Sequence, residues 1–202
     1  PSRPSDLEHL LQTADIDAAL TRRAEALVAR IVAADIVKYG ARGQAVTLPR
    51  GRPLILVPGQ VEDDRSVRLG GGRIATNAAL LVAVRSARPD AHIIFKPHPD
   101  VEAGLRAGGP RPAEADRLAD TVVRDASLTT LFGQVDEVHS LTSQTGFEAL
   151  LRGIPVTTYG APFYAGWGLT RDLGEVPARR TRRRTLAELA AATLILYPRY
   201  LD

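Results

Sequence analysis

Directly behind the apolar run LILVP (54–58) the chain places GQVEDD, with Glu62, Asp63 and Asp64 side by side. Adjacent carboxylates repel one another, so such a group is a solvated turn, a metal site, or a set from which one member does chemistry. Downstream, Lys96 and His98 stand in KPHPD (96–100), where Pro97 and Pro99 deny ladder donors and force the chain out of a sheet. A cation and an imidazole on so stiff an exit can hold a phosphate with little loss of side-chain freedom. The stretch SLTSQTGFEALLRGIPV (140–156) reads as a polar turn opening a helix, with Glu148 in its first turns. Ser143, Gln144, Thr145 and the unpaired amides of that helix start suit an anion; the plainer reading makes Ser143 or Thr145 only an N-cap. In YGAPFYAGWGLT (159–170), Phe163, Tyr164 and Trp167 lie among Gly160, Gly166 and Gly168, either as a plug closing the sheet edge or as a ligand wall. The run RRTRRR (179–184) is most simply a solvated basic face, with an anionic acceptor or lipid headgroup as its other use. His9, His92, His98 and His139 are scattered without ligand-like spacing, a weak case for a metal.

The elements that must position these residues follow from periodicity. Ser5-Asp6-Leu7-Glu8 fits a capping box that opens a short helix. From Ile16 to Tyr39 apolar residues recur at helical spacing, predicting one long amphipathic helix stopped by Gly40 and Gly43. After residue 50 short apolar runs alternate with helices. Strands are expected at Leu54–Val57, His92–Phe95, Thr121–Val123, Glu137–Ser140 and Pro155–Tyr159. Helices are expected at Ile74–Ala87, entered from Gly70–Gly72, and near 113–119, 127–132 and 145–152. This alternation predicts an α/β fold, a Rossmann-like parallel doubly wound sheet whose ligands lie off the carboxyl ends of its strands. GQVEDD, KPHPD, SLTSQTG and YGAPFYAGWG all follow strands, so all should share one rim. The expected division is a helical segment over 1–50 packing on a nucleotide-sugar-binding lobe over 51–202.

Composition narrows the classes. With 202 residues and 45% hydrophobic content the chain can bury a core, and 26 Lys plus Arg against 23 Asp plus Glu is too near balance to announce a nucleic-acid binder. Absence of Cys removes disulfides, thiolate metal sites and a cysteine nucleophile. No segment reads as a signal peptide or as an apolar run of about 20 residues, so a soluble protein is expected. Met is absent even at position 1, which with the abrupt start PSRPSDLE suggests a piece of a larger protein.

Taken together, LVPGQVEDDRSVRLGGG (56–72), IIFKPHPDVEAG (93–104) and LTSQTGFEALLRGIPVTTYGAPFYAGWGLT (141–170) resemble the KpsC-type capsule polysaccharide β-Kdo transferases over about residues 4–171. The resemblance implies one lobe of a two-lobed, GT-B-like retaining glycosyltransferase. It would use CMP-Kdo, without a metal or other cofactor, to build the β-Kdo linker between a phosphatidylglycerol-type lipid and a capsule chain. By matching, Lys96, His98, Pro99, Ser143, Gln144 and Thr145 inherit the cytidylate and Glu148 the ribose. The Q-x-x-x-D pattern falls on Gln60 and Asp64, implying Asp64 as the nucleophile of a double displacement, with Asp63 as substitute and Glu62 beside them. The sugar's own carboxylate needs a cation; Arg65, Arg68 and Arg73 stand around GGG, and Trp167 is a further sugar contact. The family's acid/base Glu-Asp-Gly segment belongs to an earlier lobe and does not occur here, which implies a donor-binding lobe partnered by a missing N-terminal acceptor lobe, with turnover by this piece alone in doubt. The expected partners are CMP-Kdo and a lipid-linked Kdo acceptor, not nucleic acid, and the expected place is the cytoplasm, peripheral at the cytoplasmic face of the inner membrane. Two alternatives stay open: a non-catalytic capsule-assembly or export module, and another CMP- or CDP-dependent enzyme such as a sialyl- or polyol-phosphate transferase.

Overall fold

The computed structural model describes residues 3–38, 43–106, 108–109 and 112–198. Its strands are β1 (Leu54–Pro58), β2 (His92–Lys96), β3 (Thr121–Val122), β4 (Glu137–Ser140), β5 (Val156–Thr158) and β6 (Arg171–Asp172). They form a six-stranded sheet in the order β3-β2-β1-β4-β5-β6, and every neighbouring pair is parallel. Successive connections step one way from β1 through β2 to β3, and the other way through β4 to β6. The switch point lies between β1 and β4, where an open parallel sheet leaves a crevice at its carboxyl edge.

The continuous apolar runs become strands because both faces are covered. Leu54, Leu56, Ile94 and Val138 point into one cluster; Ile55, Val57, Ile93 and Phe95, alternating with them, point into the other. The first cluster is closed by α1 (Asp6–Thr13), α2 (Ala18–Ala33), α8 (Gln144–Leu151) and α9 (Leu186–Ala191), the second by α3 (Arg65–Gly70), α4 (Asn77–Ala87) and α6 (Pro112–Leu118). The remaining helices are α5 (Pro99–Glu102) and α7 (Leu128–Phe132), and a π-helical turn Ala192–Leu196 continues α9. Leu7, Leu11, Ala24, Val37 and Leu48 join the same cluster as β1, so these residues share the core of the sheet.

Several elements differ from expectation for local reasons. The amphipathic stripe does not run to Tyr39: α2 ends at Ala33, where Asp35 adopts φ 50 and the amides of Asp35 and Ile36 turn back onto Val32 and Ile31. This is a Schellman stop with Asp in the left-handed position. Tyr39 and Gly40 lie outside the described residues. The helix expected from Ile74 begins only at Asn77, capped by Thr76. KPHPD does not stay extended, because Pro99 takes the first position of α5, where a missing N–H costs nothing.

The basic run is the largest departure. The Arg180 and Arg184 side chains are buried, 4% and 0% exposed, while Arg179, Thr181 and Arg183 are exposed, so RRTRRR is a solvated face only in part. Arg179 and Arg180 pair with Glu8 of α1. Arg180 also donates to the carbonyls of Pro162 and Ala165, and Arg184 to those of Leu11 and Ala14. The segment is an internal strap tying α1 to the aromatic loop. Consequently Glu8 is drawn away from the capping box: Ser5 still caps α1 through the Glu8 amide, but the Glu8 carboxylate serves the arginines.

Candidate functional site

A cavity of about 430 Å³ opens at the switch point, walled by the carboxyl ends of β1, β2 and β4. The register sets Pro58 beside Lys96, and the Gly59 amide then donates to the Lys96 carbonyl at 2.7 Å. A Cβ on Gly59 would stand 2.9 Å from the His98 amide nitrogen, so the two loops meet this closely only because residue 59 lacks a side chain.

From β2, Lys96 reaches the Arg124 carbonyl at 3.1 Å, and burial lowers its pKa. His98 caps α5 by accepting the Asp100 amide at Nδ1, 3.1 Å. That bond places the proton of the neutral ring on Nε2, making His98 a donor for an anionic ligand. Burial also lowers the His98 pKa.

From β4, Ser143 caps α8, taking the Thr145 amide on its hydroxyl at 3.2 Å. Ser143 is thus an N-cap, and it lines the cavity together with Gln144 and Thr145. The turn is held from behind by buried Tyr164, whose hydroxyl donates to the Ser143 carbonyl at 2.6 Å. Glu148 is 5% exposed; one oxygen accepts the Lys38 amide at 2.9 Å and the Gln144 side chain at 3.3 Å. Its other oxygen, Oε2, is buried with no hydrogen-bond partner among the described residues. Burial raises the Glu148 pKa. A carboxylate beside the cavity thus keeps one buried acceptor without a partner among the described residues.

Gly146 packs under Tyr164, and an added Cβ would stand 2.2 Å from its hydroxyl oxygen. Gly146→Ala is therefore expected to destabilise the protein by about 1–3 kcal/mol through overpacking, read as a lower urea midpoint.

From β1, Asp64 lines the cavity and caps α3, its Oδ1 accepting both the amide and the hydroxyl of Ser66 at 2.7 Å. Those bonds, the amide first, lower the Asp64 pKa and keep it ionised. Gln60 is buried and positions the loops: its side chain exchanges hydrogen bonds with Thr142, while its backbone is bracketed by Asn77. Glu62 faces the other way, accepting the amide and side chain of Asn77 at 2.8 and 3.0 Å. Asp63 is exposed and pairs with Arg106 at 2.7 Å. The carboxylates of GQVEDD are thus divided among a helix cap in the cavity, an outer ion pair and an anchor for α4. Among the described residues no three His, Cys, Asp or Glu converge as a metal site would require.

Arg65, Arg68 and Arg73, expected beside a sugar, do not line the cavity; Arg73 pairs at the surface with Glu175. Trp167 does not line it either. It is fully buried, donates to the Phe163 carbonyl and lies under Arg180, so the aromatic loop is chiefly a plug that presents Phe163 to the cavity. Lys38, Asp100, Arg106 and Thr142 line the wall without having been singled out. Lys38 meets Glu148 across 110 positions, and no local pattern signals such a contact.

The family model described as capsule polysaccharide biosynthesis protein matches residues 8–200. The chain belongs to the capsule polysaccharide biosynthesis family. Within it, the chain is 48% identical over 199 residues to the capsule polysaccharide modification protein LipA of Neisseria meningitidis serogroup A, covering 98% of this chain and 28% of that protein. It is 43% identical over 206 residues to the lipopolysaccharide-processing protein LpsZ of Rhizobium meliloti, covering 99% of this chain and 46% of that one. The chain thus spans less than half the length of these relatives. Among solved structures it is similar to two from Thermosulfurimonas dismutans KpsC. The β-Kdo 2,4 transferase superposes with TM-score 0.87 at 37% identity, covering 99% of this chain and 63% of that one. The β-Kdo 2,7 transferase superposes with TM-score 0.82 at 39% identity, covering 97% and 60%. This member of the family shares their α/β glycosyltransferase architecture, and none of its described helices is long and apolar enough to cross a membrane.

Proposed function

We propose that this chain is the donor-binding lobe of a retaining glycosyltransferase that moves Kdo from CMP-Kdo onto the β-Kdo linker of a lipid-anchored capsular polysaccharide. The observation that carries the reading is the switch-point cavity, which gathers Lys96, His98, the start of α8 and Glu148 in a chain similar to two Kdo transferases. Lys96, His98 and the α8 amides neutralise the departing cytidylate phosphate. Glu148 Oε2 accepts a ribose hydroxyl, and Phe163 supplies an apolar wall. Asp64 is the nucleophile, its Oδ1 held by Ser66 and its Oδ2 turned to the anomeric carbon, which it captures from an oxocarbenium-like state.

CMP is expected to bind this chain in the presence of a chelator, measured by titration calorimetry. His98→Ala should weaken it by about tenfold or more, since a charge-assisted donor to phosphate is lost. Unchanged affinity in that variant would remove His98 from the phosphate site.

A further inference from the structure

Arg106 is the guanidinium of the cavity wall, and its partner is the informative part. It bonds Asp63, which lies outside the wall, rather than Asp64, which lies within it. We infer that Arg106 selects donors whose sugar carries a carboxylate on the reacting carbon, and that Asp63 occupies Arg106 until that carboxylate displaces it. The inference rests on the reading of this cavity as a nucleotide-sugar site.

The chemistry is forced by covalent geometry. In a 2-keto-acid sugar the carboxylate is bonded to the anomeric carbon itself. A nucleophile at attacking distance, about 3–3.5 Å, therefore has the sugar's anion beside its own. Two carboxylates this close need a cation between or next to them. Among the described residues the Lys and Arg side chains of the wall are Lys38, Lys96 and Arg106. Lys96 is drawn to the Arg124 carbonyl, and the Lys38 backbone is tied to Glu148 on the α8 side. Arg106 stands on the GQVEDD side, bonded to Asp63, and its charge and that of Lys38 both reach Asp64. It alone of the three has the planar fork that grips a carboxylate with two parallel bonds. Its present partner is easily replaced: the Asp63 and Arg106 side chains are 60% and 42% exposed, and such pairs contribute little.

The test compares affinities of wild type, Arg106→Gln, Arg106→Lys and Asp63→Asn for CMP and for freshly generated CMP-Kdo. Arg106→Gln should reduce the preference for CMP-Kdo over CMP by about tenfold, with CMP itself changing less than about threefold. Arg106→Lys, a point charge without the fork, should fall between. Asp63→Asn should raise the preference by about threefold, because the competing carboxylate is gone. A preference unmoved by Arg106→Gln, or equal loss for both ligands, overturns the role. Failure of the wild-type chain to bind CMP overturns the nucleotide site itself, and this inference with it.

Discussion

Asp64→Asn is expected to leave the fold intact and to abolish formation of a sugar adduct on the protein. The two halves of this result separate two uses of one side chain. As the cap of α3, Asp64 offers Oδ1 to the Ser66 amide and hydroxyl. Asn is as good a cap, so stability should change by no more than about 0.5 kcal/mol. As a nucleophile, Asp64 uses its charge and its second oxygen. An amide at that position cannot attack an anomeric carbon. In a protein carrying this chain together with the expected acceptor lobe, turnover should fall by about a thousandfold or more. Intact mass after incubation with CMP-Kdo is the direct measurement. Wild type and Asp63→Asn should gain one sugar residue, and Asp64→Asn should gain none. An adduct that persists in Asp64→Asn removes Asp64 from the role, whatever the turnover.

Much of this arrangement was legible in the sequence, and the omissions share a cause. The strands of the sheet centre stood out because a strand covered on both faces must be apolar throughout, and LILVP and HIIF are. The segments that follow them fell on one rim because a parallel doubly wound sheet directs its loops there. The short helices α3 and α5 left no trace, since 6 and 4 residues cannot display a period. Contacts between distant segments left none either. Arg106 meets Asp63 across 43 positions, from a glycine- and proline-rich stretch after α5 that reads only as a loop. The arginines of the strap read as surface for the same reason: Glu8 and the carbonyls of Leu11 and Ala14, among their acceptors, lie about 170 residues away. Arg65, Arg68 and Arg73 show the reverse error. They are near GGG in sequence, yet α3 holds Arg65 and Arg68, and the loop after it Arg73, outside the cavity wall.

The strap carries the largest stability effect expected here. Glu8→Ala should destabilise the protein by about 3–5 kcal/mol, because it strands a buried guanidinium. The Glu8 side chain is 8% exposed and that of Arg180 4%, so neither charge has bulk water to fall back on. The carbonyls of Pro162 and Ala165 remain as acceptors for Arg180 and place the effect toward the lower end of that range. A matched apolar pair, Glu8→Leu with Arg180→Met, should recover most of the loss, since removing both charges also removes both desolvation costs. Urea unfolding followed by far-UV circular dichroism reads all three proteins. If the double variant is no more stable than Glu8→Ala, the strap acts through packing of the arginine stem over Trp167 rather than through charge. The consequence reaches the site in either case. Arg180 binds the loop that holds Phe163 against the cavity, and Tyr164 in that same loop fixes the Ser143 carbonyl at the start of α8. Loosening α1 therefore loosens the wall on which the anion rests, although α1 itself contributes no residue to it.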